Sequence, residues 1–140
     1  MRKAFLTFLF VLMVALALSG VALAGNTANV YQSGDSNEAY IEQIGDANWA
    51  DIGQDDDRND ADIYLIGDFN DTCQWQQGDN NEAYIKIQGS SNTAKQVQLN
   101  DSNFAETYID GDFNTVCQYQ DGGETSTIII DGSHVSVYRY

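Results

Sequence analysis

The sequence predicts an all-β chain: a two-sheet parallel β-solenoid with 22-residue rungs, each rung made of two strand-turn units of 11 residues. Three observations carry this. Gly, Asp or Asn recurs every 11 residues, at Gly34, Gly45, Asp56, Gly67, Gly78, Gly89, Asn100, Gly111 and Gly122. Three positions later stands an unbroken column of Asn37, Asn48, Asn59, Asn70, Asn81, Asn92, Asn103 and Asn114. Between turns the constrained positions lie three, five, seven and nine after the turn residue, and a period of two belongs to strands. An 11-residue period also fits three helical turns. Gly and Asn in every unit, with β-branched and aromatic residues around them, argue against a helix.

The chain starts with Arg2 and Lys3, an apolar run from Ala4 to Leu18, and the small-x-small site Ala22-Leu23-Ala24. This predicts a signal peptide over residues 1–24, cleaved before Gly25. The apolar run is short for a span, which needs about 20 residues, so no transmembrane segment is expected in the mature chain. A repeat solenoid is expected over 25–121 and a divergent C-terminal rung over 122–140. From Gly25 onward all 21 acidic side chains meet four basic ones, Arg58, Lys86, Lys95 and Arg139, a formal charge of −17. That charge argues against nucleic acid and anionic membrane surfaces as partners.

Strands are predicted at 26–32, 37–43, 48–54, 59–65, 70–76, 81–87, 92–98, 103–109, 114–120, 125–131 and 136–140. The turn column needs residues that tolerate positive φ, which marks Gly34, Gly45, Gly67, Gly78, Gly89 and Gly111 as turn positions and Asp56 as a departure. The second layer of the repeat lies inside the strands. One set of half-units places Gln32, Gln54, Gln76, Gln98 and Gln120 nine after the turn; the other places Ile41, Ile63, Ile85 and Thr107 seven after it. Buried amides are costly unless hydrogen-bonded, and stacking lets each one donate to a neighbour and accept from the other. The expected inner ladders are therefore the Asn and Gln columns and the Ile column. The outward columns look far less uniform.

Asp follows most turn residues. It forms turns well, and stacked carboxylates also repel, which slows premature assembly; Asp56, inside Asp55-Asp56-Asp57, is the expected gatekeeper. The spacing is not that of a Gly-rich calcium-binding nonapeptide, so no metal site and no cofactor is assigned. Cys73 and Cys117 share an outward column two rungs apart, about 9.6 Å, too far for a disulfide. In the tail, continued 11-residue stepping puts Thr125, Thr127, Ile129 and Asp131 inward and Tyr138 in the Ala column, so 122–140 reads as a modified end, either a cap or an anchoring or nucleating segment. His134 is the single histidine, no nucleophile–base pair or phosphate loop occurs, and no enzyme activity is expected.

The stretches Gln76-Gln77-Gly78-Asp79-Asn80-Asn81-Glu82-Ala83 and Gln32-Ser33-Gly34-Asp35-Ser36-Asn37-Glu38-Ala39, the latter continuing to Gln43, resemble the curlin repeat, Ser-x5-Gln-x-Gly-x-Gly-Asn-x-Ala-x3-Gln. The likeness runs over roughly 26–120. Here Asn usually replaces the leading Ser, and Ser36, Arg58, Asn80 or Ser102 stands at the second Gly. The resemblance implies a secreted subunit that polymerises with itself into amyloid-like cross-β fibres at the bacterial surface, serving biofilm matrix and adhesion, with a companion subunit and an outer-membrane secretion apparatus as partners. The main rival is a soluble monomeric solenoid that binds a surface or polysaccharide through its outer face; it calls for a regular outward column and capped ends.

Overall fold

The computed structural model describes residues 25–140; the predicted signal peptide lies outside them. Eleven strands follow one another: β1 (Thr27–Gln32), β2 (Glu38–Ile44), β3 (Trp49–Asp55), β4 (Asp60–Ile66), β5 (Asp71–Gln77), β6 (Glu82–Gln88), β7 (Thr93–Leu99), β8 (Phe104–Asp110), β9 (Thr115–Asp121), β10 (Thr125–Asp131) and β11 (Ser136–Arg139). Odd strands form one parallel sheet in the order β1-β3-β5-β7-β9-β11, and even strands a second in the order β2-β4-β6-β8-β10. The chain therefore winds as a β-solenoid of about five turns. No helix among the described residues is long and apolar enough to cross a membrane.

Through β9 the register is 22 residues, as in Gln54↔Gln76 and Ile63↔Ile85. The pleat alternation then sorts each strand. The even sheet turns Ile63, Leu65, Ile85, Ile87 and Ile109 inward, and the odd sheet turns Gln74, Gln76, Gln96, Gln98, Gln118 and Gln120 inward, all buried. Apolar side chains of one sheet thus face amides of the other. Ala50, Ala61, Ala83, Ala94, Ala105 and Val116 fill the positions beside the Asn column.

The tail departs from the sequence expectation. Three residues separate β9 from β10, where four separate successive strands from β2 to β9, so the register becomes 21: Ser126 pairs with Ala105, Ile128 with Thr107 and Ile130 with Ile109. A one-residue slip exchanges the two faces of a strand. Ser126, Ile128 and Ile130 are therefore buried, while Thr125, Thr127, Ile129 and Asp131 point out. The slip carries into β11, where Val137, not Tyr138, lies beside Val116. The Gly122-Gly123 pair, at φ 82° and 67°, makes the shorter turn.

Candidate functional site

The turns come first. Gly34, Gly45, Gly67, Gly78, Gly89 and Gly111 lie at φ between 102° and 139°. A Cβ on Gly45 would sit 2.1 Å from the Gly67 carbonyl oxygen of the next rung, so close stacking of turns excludes side chains there. Asp56 replaces this glycine at φ 74°, and the adjoining turn bond, from Gly78 N to Asp55 O, lengthens to 3.2 Å against 2.9 Å at Gly67 and Gly89. Two residues after each turn glycine comes a second left-handed position that the sequence reading did not single out. It holds Ser36, Ala47, Arg58, Phe69, Asn80, Ser91, Ser102 and Phe113 at φ 55–63°. The second Gly of the curlin pattern was the available signal for it.

The Asn column ties rung to rung. Asn48 Oδ1 accepts from both the backbone N–H and Nδ2 of Asn70, each at 3.0 Å. Asn70 Nδ2 also donates to the Gly89 carbonyl at 2.9 Å, and Asn92 Nδ2 to that of Gly111. Asn59, Asn81, Asn103 and Asn114 accept or donate in the same columns, while Asn37 stands half-buried on the first described rung. Asn48, Asn70 and Asn92 thus join a strand start to a turn, which an aliphatic residue cannot do, while the buried Asn81 Nδ2 has no partner.

The Gln column is a continuous chain of donors. Gln32 donates to Gln54 at 2.7 Å, and Gln54, Gln76 and Gln98 each donate Nε2 to the next Oε1 at 2.9 Å, ending at Gln120. From Gln54 onward a further Nε2 proton crosses the core to the even sheet: Gln54 reaches Glu38 O, Gln76 reaches Asp60 O, Gln98 reaches Glu82 O, and Gln120 reaches Phe104 O. A second ladder begins at Gln74, which donates to Gln96 at 2.9 Å. The buried Gln74 Oε1 has no donor, because its predecessor in the column is Ile52. Ile41, Ile63 and Ile85 stack in register opposite these amides.

The turn carboxylates form a third ladder. Asp57 Oδ1 accepts from the Asp35 N–H at 2.7 Å, Asp79 from Asp57 at 3.0 Å, and Asp101 from Asp79 at 2.8 Å. Each negative charge therefore satisfies a backbone donor of the rung before it, a use beyond turn formation alone.

The outer face of the even sheet is more ordered than its composition suggested. Tyr40, Tyr64, Tyr84 and Tyr108 alternate between two neighbouring columns and stack along the diagonal, with ring centroids 5.2, 5.5 and 5.4 Å apart. Acids and Lys86 fill the other squares. The pattern repeats over two rungs and switches column, so column-by-column reading misses it. The Tyr108 hydroxyl, hydrogen-bonded to the Glu106 carboxylate, has its pKa pushed up to about 12. On the odd sheet Trp75 lies over Gly53, where a Cβ would come within 2.3 Å of the indole. Cys73 and Cys117 are free and sit on either side of Lys95 in one outward column. Burial raises the Cys73 thiol, an effect the Lys95 ammonium opposes.

Comparison with curated proteins and with solved structures finds no match. The family model of the curlin associated repeat matches twice, over residues 24–55 and 75–95. The interval between the matches contains Asp56 at the turn column, Leu65 at a Gln position and Thr72 at an Ala position. Over the two matched stretches the chain is similar to the curlin associated repeat, and there its Gln, Gly, Asn and Ala columns keep that spacing.

Proposed function

We propose that this curli-type structural protein is exported, cleaved after Ala24, and polymerises into extracellular amyloid-like fibres that serve biofilm matrix and adhesion. One observation carries the reading: the inner ladders run to the open first strand. Val30 is 46% exposed, and Gln32 donates to Gln54 while its own Oε1 has no donor among the described residues. An exposed in-register edge templates addition of another chain, and identical columns in each copy make that addition self-specific. A companion subunit and an outer-membrane secretion apparatus complete the reading.

The test is to express the full chain in a biofilm-forming bacterium and sequence the N-terminus of the extracellular material. Thioflavin-positive fibres beginning at Gly25 are expected; an intracellular or membrane-retained chain with no fibres contradicts the proposal. The tyrosine zigzag favours a second reading, a soluble solenoid whose even-sheet face binds polysaccharide. Its mark is a lasting monomer that retains glycan and loses it on Tyr64→Ala.

A further inference from the structure

The odd sheet has six strands and the even sheet five, and the surplus strand is β11. Val137 packs on the core beside Val116, but two inward residues of this end do not suit the ladders they extend. Val135 takes the Asn position, giving its N–H to Asn114 Oδ1 at 3.0 Å. Arg139 pairs with Gln118 and so places a cation in an amide column. It tolerates this because it is exposed. Covering it with another rung would bury a guanidinium with no carboxylate in the column, and unpaired buried charge is strongly unfavourable.

A second copy meets a strand-count problem at the same end. If its β1 were laid on β11, the odd sheet would continue while the even sheet lacked one strand between β10 and the incoming β2. Backbone donors and acceptors facing that gap would lose their partners. If its β1 replaced β11 on β9, both sheets would continue without interruption. The columns then agree. Gln120 Nε2, which donates to Phe104 O and Glu124 O in the free chain, exchanges the Glu124 bond for Gln32 Oε1 of the second copy and then matches Gln98, which donates to Gln120. Ala28 covers Val116, the N–H of Asn26 takes over the Asn114 Oδ1 acceptor, and Ile41 covers Ile128.

We propose that β11 is a displaceable cap: it occupies the edge of β9 in the free chain and leaves when β1 of a second copy takes that edge. The inference rests on the self-assembly reading above and adds which strand must move. It sets the advance per chain at five strands, about 24 Å, against about 29 Å if β11 stays in the stack.

Tyr138 stands directly beside Cys117. Adjacent strands lie about 4.8 Å apart, within the range a disulfide spans. The variant Cys73→Ser/Tyr138→Cys of residues 25–140 can therefore be oxidised to lock β11 onto β9 and released by a thiol reductant. Seeded growth is followed by thioflavin fluorescence. The expected result is loss of growth in the oxidised chain and its return on reduction. Growth of the oxidised chain at the reduced chain's rate overturns the cap. If neither form grows and the unsubstituted chain also stays monomeric, the self-assembly reading itself falls and the cap with it. If only the unsubstituted chain grows, Cys73→Ser alone is run beside it, and growth of that chain while the reduced double variant stays inert also overturns the cap.

Discussion

Gln76→Leu tests whether the amide column holds the rungs together. Gln76 makes three hydrogen bonds inside the core: it accepts from Gln54 at 2.9 Å, donates to Gln98 at 2.9 Å and donates to Asp60 O at 2.8 Å. At about 0.5–1.5 kcal/mol net each, their loss is roughly 1.5–4.5 kcal/mol. The fully buried Gln98 Oε1 also loses its donor, while leucine returns part of the loss through apolar burial. A net destabilisation of about 2–4 kcal/mol follows. Gln32→Leu removes a single bond, the donor to Gln54 Oε1, and should cost about 0.5–1.5 kcal/mol. Replacing all five column glutamines by leucine leaves no amide orphaned by its neighbour, so it should cost less per substitution than Gln76→Leu alone. Urea unfolding of dilute monomer, read by circular dichroism, measures all three. Equal costs at Gln32 and Gln76, or a Gln76→Leu chain as stable as its parent, would refute the reasoning.

Asp56→Gly removes a side chain from the one crowded turn with an acid in the glycine column, and replaces a left-handed conformation worth about 1–2 kcal/mol of strain. After glycine's extra entropy in the unfolded chain, a gain of about 0.5–1 kcal/mol and a shorter assembly lag are expected; unchanged or slower kinetics would count against the turn argument. Gly53→Ala drives a Cβ into the Trp75 ring and should lift the indole off the sheet at about 1–2 kcal/mol. Red-shifted emission in a Trp49→Phe background would report it, and an unmoved spectrum would deny it. Burial, then Glu38, raises Asp60; burial, then Asp60, Glu38 and Glu82, raises Asp62. The native state thus binds these protons more tightly than the unfolded chain. The resulting stability is complete below about pH 4 and is lost as pH rises through the raised native values. The urea midpoint should rise on acidification from neutrality, less so in Asp62→Asn; a falling midpoint in both would reverse the sign.

Much of this architecture was legible because the constraint is one-dimensional. Each inner position touches its own equivalents above and below, so a column such as Gln54, Gln76 and Gln98 can be read by stepping through the sequence. The 22-residue rung followed from the contrast between that column and Ile41, Ile63 and Ile85. Legibility ended where the period did. One residue fewer after Asp121 shifts every later side chain to the opposite face, and the run Ile128-Ile129-Ile130 offers an apolar residue to either register. The tyrosine zigzag escaped for a different reason: its contacts run diagonally between columns, with a two-rung repeat. The further Gln proton that crosses to the other sheet depends on how the sheets face each other and leaves no mark in the spacing.

Fibre diffraction from residues 25–140 after prolonged incubation tests the central claim most directly. Stacked rungs that add end to end give a meridional reflection at about 4.7–4.8 Å and an equatorial one near 10 Å. A chain that remains a soluble monomer, with no reflection near 4.7–4.8 Å, would contradict the account.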